Sequence, residues 1–599
     1  MKEKEKRQLL PYIKMVFKLI PSLKLVLLWQ TLLSVIWSLV PVGFVKILLD
    51  TYEAGKGFKS ILITCSIVAI IYICNGMMNR FLDIFRDRLF RKLSFKMKNK
   101  IYEKIDEVDY ATYQSSDFLN KYQKLLNEGI WNAWNTVWYM IMIIEGIVIV
   151  LAMSSIIALV NIVALAYTLV MSIVYFFTRR IAARLFRLAD ESNKQNFRER
   201  YYIRRMYYLK DAAADLRTTP VSNLFLGMND KVGSNIVHNI DKYKGKEFIF
   251  VAIGEIFMRS VYAFVVAIIA YETLRDLSFA SFAALIAAAE SLFYCIWNFS
   301  YSIGNFQQVA INSIDYFRVM DIKPVIENSG SIVADEFSII NIIDVSFKYN
   351  ENDKFALENI NLKLKKGERI AIVGENGSGK TTLVKLLLRL YDPIKGSILF
   401  NDTNYKDIFP KSIRSRCGAV FQDYQVYALS VAENVLMREI INDDDRKLVI
   451  EALVFSGLYD KIKDLPLNID TQITKEFEED GLELSGGEKQ KLALARIYAS
   501  EYELIILDEP SSSLDPIAEA DIYEKMMKLN KFKSLIFISH RLSTTKLADF
   551  IYLFDQGKII EKGTHEELMN IDNGIYKNMF NVQAKEYVER SAGYENDKK

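Results

Sequence analysis

Arg369-Ile-Ala-Ile-Val-Gly374-Glu375-Asn376-Gly377-Ser378-Gly379-Lys380-Thr381-Thr382 decides the fold of the C-terminal half of this chain. Its first residues, RIAIV, read as a buried strand, and the run that follows, LVKLLLRL, reads as a helix. Glycines between the two let the backbone wrap closely around phosphate oxygens, while N–H groups at the helix start favour an anion. In this pattern Lys380 reaches the β- and γ-phosphates and the Thr381 hydroxyl ligates Mg2+. Gly374 to Thr382 is therefore the candidate ATP-binding loop, and an α/β P-loop NTPase domain is the fold it predicts.

Two stretches further along the chain fit such a domain. Leu504–Leu507 reads as a second buried strand, ending in Asp508 and Glu509. The first acid can hold the hydration shell of Mg2+, and the second can polarise a water for in-line attack on the γ-phosphate. Leu484-Ser485-Gly486-Gly487-Glu488-Lys489-Gln490 precedes the helical run KLALAR. A hydroxyl, two glycines and a helix N-terminus form a second anion-binding cap.

With the phosphate loop upstream, LSGGEKQ resembles the signature of ATP-binding cassette (ABC) proteins. The resemblance assigns further residues. Tyr349 stands where that family's adenine-stacking aromatic stands, and Gln422 matches the glutamine contacting Mg2+ and the attacking water. Ser513-Leu514-Asp515 matches the D-loop, and His540, in ISHRLST, the switch histidine. The implied roles are Glu509 as general base, His540 as its partner on the γ-phosphate, and Ser485, Gly486 and Gly487 as a cap acting in trans. Each ATP would lie between the phosphate loop of one chain and the signature of another, so a dimer is implied. A homodimer is expected, because this chain carries every site residue; a heterodimer with a second half-transporter stays open. Two departures stand out. Glu488 occupies a position where glutamine is commoner, and Glu476-Phe-Glu-Glu-Asp-Gly481 differs from the usual TEVGERG-like stretch.

The N-terminal half has a different composition. A bilayer core needs about 20 apolar residues in a helix. Six candidate spans lie near 25–49, 60–79, 136–153, 156–178, 248–271 and 279–303. The third and fourth nearly touch, which predicts a tight hairpin around Ser154 and Ser155. Long polar stretches of helical character separate the second span from the third and the fourth from the fifth. Those stretches hold the base: Arg86, Arg88, Arg91, Lys92 and Lys96 in one, Arg179, Arg180, Arg184, Arg204 and Arg205 in the other. The short connectors hold only Lys56, Lys59 and Arg275. Positive charge stays on the cytoplasmic side, so both termini and both long loops are expected in the cytoplasm. The turns near Gln114–Phe118 and Asp215–Thr219 are the expected coupling helices.

Glu145 and Glu290 fall about ten residues from outer connectors, ~15 Å deep at 1.5 Å per helical residue. Carboxylates there are costly and face a cavity or a partner. They are candidates for lining a pathway that favours a cationic substrate, against the plainer reading of hydrogen-bonded glutamates between helices. Glu255 and Arg259, spaced i,i+4, can pair within one helix. Before the first span, Lys14, Lys18 and Lys24 punctuate an amphipathic stretch expected along the membrane surface. It lacks the short core and cleavage site of a signal peptide.

At 599 residues the chain exceeds one compact core. The expected organisation is a transmembrane domain at 1–320, a linker at 321–337, a cassette at 338–582 and a polar tail at 583–599. A net charge of +3 gives no reason to invoke nucleic acid. Cys65, Cys74, Cys295 and Cys417 lack metal-ligand spacing, and three histidines are too few and scattered for a metal site.

The whole arrangement, an α-helical polytopic membrane domain of six helices followed by a cassette, resembles the exporter-type ABC half-transporters. That implies ATP-driven efflux across the cytoplasmic membrane by alternating access. The substrate would be a peptide or an amphipathic or cationic small molecule. The peptide reading leans on ERYYIRRMYYLKDAAADLRTT (199–219), which looks like exporters of small peptides. A sensor using the same ATP switch, or an exporter-fold importer, is the alternative.

Overall fold

The computed structural model describes residues 3–596 except 159–161, 274–277, 328, 351–352, 422–423, 509–532 and 540–541. The chain divides into two compact units. One comprises Met1–Asp106 and Asp117–Ile322, the other Glu107–Ser116 and Lys323–Lys599.

The first unit is helical. After α1 (Glu3–Leu19) come, among the described residues, six helices long and apolar enough to cross a membrane. These are α2 (Leu23–Glu53), α3 (Gly57–Asp106), α5 (Ser116–Ala158), α6 (Ile162–Ser192), α9 (Val221–Thr273) and α10 (Phe279–Met320). Short helices α4 (Tyr110–Tyr113), α7 (Lys194–Tyr208) and α8 (Ala213–Thr218) lie in the two long excursions. The spans are apolar all round: Ile63, Ile67, Ile70 and Ile73 of α3 are exposed, as lipid-facing side chains are. α3 and α6 run unbroken from apolar into strongly basic sequence, so each excursion continues a span instead of starting a separate helix.

Two local expectations are corrected. No hairpin forms at Ser154 and Ser155; α5 continues through both to Ala158, and α6 begins at Ile162. Serine does not interrupt the helix because the Ser155 hydroxyl donates back to the Ala152 carbonyl at 2.7 Å, satisfying itself on the helix's own backbone. The apolar side of the amphipathic α1 packs on α10. Tyr12, Val16, Leu19 and Ile20 are buried, with Tyr12 edge-on to Tyr316 and Phe317 of α10 at 5.6 and 6.1 Å. Finally, Glu255 pairs between helices, not within its own: Arg179 Nη2 of α6 lies 3.0 Å from Glu255 Oε1. The Tyr175 hydroxyl and Trp297 Nε1 donate to the same oxygen at 3.3 and 3.2 Å. Arg179 also stands over the Tyr175 ring, so the guanidinium arrives already oriented, whereas Arg259 is exposed.

Glu145 and Glu290 have unlike surroundings. The Ser34 hydroxyl of α2 donates to Glu145 Oε1 at 2.9 Å, while Glu290 is exposed.

The second unit is built on two sheets. β1 (Ile339–Phe347), β2 (Leu357–Lys365), β4 (Lys395–Phe400) and β5 (Thr403–Asn404) form an antiparallel sheet in the order β2-β1-β4-β5. The other sheet has the order β10-β9-β3-β8-β7-β6. Its strands are β3 (Arg369–Gly374), β6 (Cys417–Val420), β7 (Leu504–Asp508), β8 (Ser534–Ile538), β9 (Phe550–Asp555) and β10 (Lys558–Gly563). All its pairings are parallel except the β9–β10 hairpin. Ile370, Ile372, Ile506, Ile536 and Phe554 pack with Leu383 of α11 (Lys380–Leu387) in one core. Both faces of β3, β7 and β8 are buried, which explains their unbroken apolar reading.

Beyond these sheets, α12 (Pro410–Arg416), α13 (Val431–Leu436), α14 (Asp443–Ser456), α15 (Tyr459–Ile462) and α16 (Gly486–Ala499) follow in chain order. Val435, Val449, Leu453 and Leu492 give α13, α14 and α16 a core of their own.

Candidate nucleotide site

The loop Gly374 to Gly379 leaves the C-terminal end of β3, held centrally between β8 and β9, and enters α11. Parallel strands present such ends as binding crevices. Gly374 has φ +147° and leaves no room for a side chain; a Cβ would stand 2.2 Å from the Phe554 carbonyl oxygen. Gly379 has φ +104°, with the Ala356 carbonyl oxygen 2.7 Å from where a Cβ would be. These two positions let the backbone double back so that its N–H groups face one concavity.

Lys380 is buried, its ammonium donating to the carbonyls of Gly374 and Glu375 at 2.9 Å each. The cation therefore lies along the loop, where phosphate oxygens would compete for it. The buried Ser378 hydroxyl has no hydrogen-bond partner among the described residues, so the loop retains polar capacity for a ligand. Thr382 is buried with its hydroxyl 3.0 Å from that of Tyr349; Thr381, beside it, is exposed. Glu375, Asn376 and Gly377 form the tip of the loop, where Glu375 and Asn376 are exposed.

Tyr349, half exposed, is edge-on to Phe347 and Tyr391 at 5.1 and 5.4 Å, with Lys385 Nζ 5.5 Å from its ring centre. A ring so placed beside the phosphate loop can offer a face to a base. Asp508 ends β7 in a buried position, opposite Ile538 of β8. Its hard oxygens and the Thr381 hydroxyl suit Mg2+.

The described residues thus bring Gly374 through Thr382 and Tyr349 together. Gln422, Glu509, Ser513, Leu514, Asp515 and His540 lie outside the described residues. The strands that precede Gln422, Glu509 and His540, namely β6, β7 and β8, are adjacent and parallel.

The signature stands at the start of α16. Ser485 caps it: its hydroxyl oxygen accepts from Glu488 N at 3.4 Å, and the Glu488 carboxylate accepts from Ser485 N at 2.8 Å. This capping box satisfies the first turn of the helix from its own side chains. Ser485 and Gly486 are exposed and Gly487 is half-buried. The box accounts for glutamate at 488, which also receives Lys461 Nζ at 2.8 Å on both oxygens. Burial pushes the Glu488 carboxyl up, but Lys461 and the Ser485 backbone and hydroxyl outweigh it and hold the group below its ordinary value. Lys461 carried no sequence signal, being 27 residues away on α15. The departing segment 476–481 is largely exposed, with Phe477 at 79%.

Comparison with known proteins agrees with this geometry. The ABC transporter family profile matches residues 357–512. The chain is 39% identical over 244 residues to a Staphylococcus aureus protein named as a multidrug export ATP-binding/permease protein, 41% of each chain. It is 42% identical over 257 residues to the subtilin transport ATP-binding protein SpaT of Bacillus subtilis, 43% of this chain and 40% of SpaT. These alignments therefore span well under half of either relative's length. Over nearly the whole chain, the fold is similar to a bacterial Atm1-family ABC exporter solved with ATP bound. The TM-score is 0.81 at 21% identity, covering 95% of this chain and 98% of that one.

Proposed function

We propose that this chain, which joins an ABC transporter ATP-binding domain to six membrane-crossing helices in an exporter fold, is an ATP-driven exporter of the cytoplasmic membrane. The observation that carries the reading is that covalent joining: a phosphate loop continuous in one polypeptide with a polytopic membrane bundle. Both termini and the cassette face the cytoplasm on this reading, as the basic excursions require.

ATP binds with its base on Tyr349 and its phosphates in the Gly374–Thr382 loop. Lys380 leaves its two carbonyls for the β- and γ-phosphates. Thr381, Asp508 and Gln422 would hold Mg2+, which would supply charge neutralisation to the phosphates. Glu509 takes the proton from the attacking water, and His540 holds the γ-phosphate. Ser485, Gly486 and Gly487 of a second copy close the sandwich, the Ser485 hydroxyl donating to the phosphate. A homodimer is the functional unit. Binding draws two cassettes together and hydrolysis releases them, alternating the access of the membrane pathway. The names of the similar proteins include a multidrug exporter and a subtilin transporter, which supports a peptide or amphipathic, cationic cargo.

The test is Mg2+-dependent ATP hydrolysis by the purified chain in lipid nanodiscs beside Glu509→Gln. Loss of a general base lowers turnover by about 10²–10⁴-fold. Turnover in the wild type that disappears in the variant supports the reading; near-normal turnover in the variant overturns the assignment of Glu509.

A further inference from the structure

Glu107–Ser116, between α3 and α5, groups with Lys323–Lys599. Its attachment is specific. Asp109 is buried, and its carboxylate accepts three successive backbone N–H groups: Val325 N at 2.7 Å on Oδ2, and Ile326 N and Glu327 N at 3.0 Å each on Oδ1. Consecutive N–H groups converging on one anion form a nest, here filled by a side chain.

The chain of contacts continues. Glu327 receives Arg414 Nη1 at 2.8 and 3.0 Å on its two oxygens. The same guanidinium donates Nε to the Leu388 carbonyl at 3.0 Å and Nη2 to the Arg389 carbonyl at 2.7 Å. Leu388 is the C-terminal cap of α11, the helix whose first residue is Lys380. A cation at the carbonyl end and an anion at the amide end are the two favourable poles of one helix dipole. A second, aromatic attachment runs beside the first. Tyr110 is edge-on to Tyr391 at 5.7 Å, and Lys385 Nζ of α11 lies 5.9 Å from the Tyr110 ring centre.

We propose that Asp109 is a positioning residue that fastens Glu107–Ser116 to the C-terminal end of the phosphate-loop helix, through the 325–327 backbone and the Glu327–Arg414 pair. A shift of α11 on phosphate binding at its other end is then carried to the loop between α3 and α5. The segment 325–327 is a working part of that connection, beyond its service as a tether.

The inference rests on the ATP-binding reading for its nucleotide-dependent arm only. The experiment is hydrogen–deuterium exchange of the full chain in nanodiscs, with and without Mg·ATP, for wild type, Asp109→Asn and Glu327→Gln. Asparagine keeps one acceptor oxygen and turns donors toward N–H groups, so it cannot fill the nest. Without nucleotide, amides of 325–327 should exchange at least about tenfold faster in Asp109→Asn, reporting a local opening made easier. With nucleotide, peptides over 374–382 should be protected in all three proteins, whereas 105–116 should respond only in the wild type. Wild-type exchange at 325–327 in Asp109→Asn, or a full response of 105–116 in that variant, overturns the proposal. If Asp109→Asn does not fold, Glu327→Gln decides it by whether 105–116 still responds. Absence of protection at 374–382 in the wild type would instead count against ATP binding, and the nucleotide-free rates would still judge the Asp109 contact.

Discussion

At the scale of single residues, the phosphate loop was legible because every demand on it is local. Gly374 and Gly379 are needed where a Cβ would strike the carbonyl oxygens of Phe554 and Ala356. Gly379→Ala should cost about 1–3 kcal/mol in backbone strain, read by thermal unfolding, and abolish binding of a fluorescent ATP analogue. A variant that binds the analogue as the wild type does would mean that the loop opens differently around phosphate. Asp109 and Lys461 were not legible, for the opposite reason. Asp109 acts on N–H groups more than 200 residues away, at separations of 216 to 218. An aspartate in VDYATY carries no mark of that contact in its own neighbourhood.

At the scale of elements, hydropathy located all six spans but not the point where one helix hands over to the next. Ser154 and Ser155 read as a turn because hydroxyls are commoner there, yet Ser155 bonds to its own helix and α5 goes on. The i,i+4 pairing of Glu255 with Arg259 was reasonable on one helix; the α6–α9 contact supplied Arg179 instead, and no sequence period reports such a neighbour. The C-terminal helix Ile575–Asn596 gives a further consequence at this scale. Its Tyr576 hydroxyl lies 2.6 Å from Thr545 Oγ1 and 2.8 Å from His565 Nδ1. Burial, and then the nearby Lys546 charge, lower the His565 pKa from 6.5, with Glu566 opposing. The folded form thus holds fewer protons than the unfolded one, so stability is full above about pH 6.5 and falls as the pH drops through the folded value. Thermal unfolding against pH should show this acid limb, and His565→Gln should flatten it; an unchanged slope would show that His565 stays neutral or charged alike in both states.

At the scale of the whole molecule, the two halves were separable by composition, since one reads as spans and the other as alternating strands and helices. The order of the large sheet was not, because β3 pairs with β8 and β9, strands more than 160 residues later. The proposed trans arrangement makes a prediction that no single chain can satisfy. Lys380→Met removes the phosphate cation, and Gly487→Asp places a negative charge at the N-terminus of α16, where it repels an anion. Each variant alone should be inactive. Co-expressed, they should recover about a quarter of wild-type hydrolysis, since half of randomly formed symmetric pairs contain one intact composite site. No recovery in isolated mixed dimers would place the phosphate loop and signature of each working site on the same chain.

The length of α3 has a mechanical consequence. It runs 50 residues without interruption from Gly57 to Asp106, ending immediately before the segment that holds Asp109. At 1.5 Å per residue it measures about 75 Å. The bilayer core accounts for about 30 Å of that, leaving a stiff arm of about 45 Å. Pivoting the arm by about 5° sweeps its tip through about 4 Å, roughly three-quarters of the rise of one helical turn. Small rearrangements at the tip are therefore geared down on their way into the lipid and gain force as they lose travel.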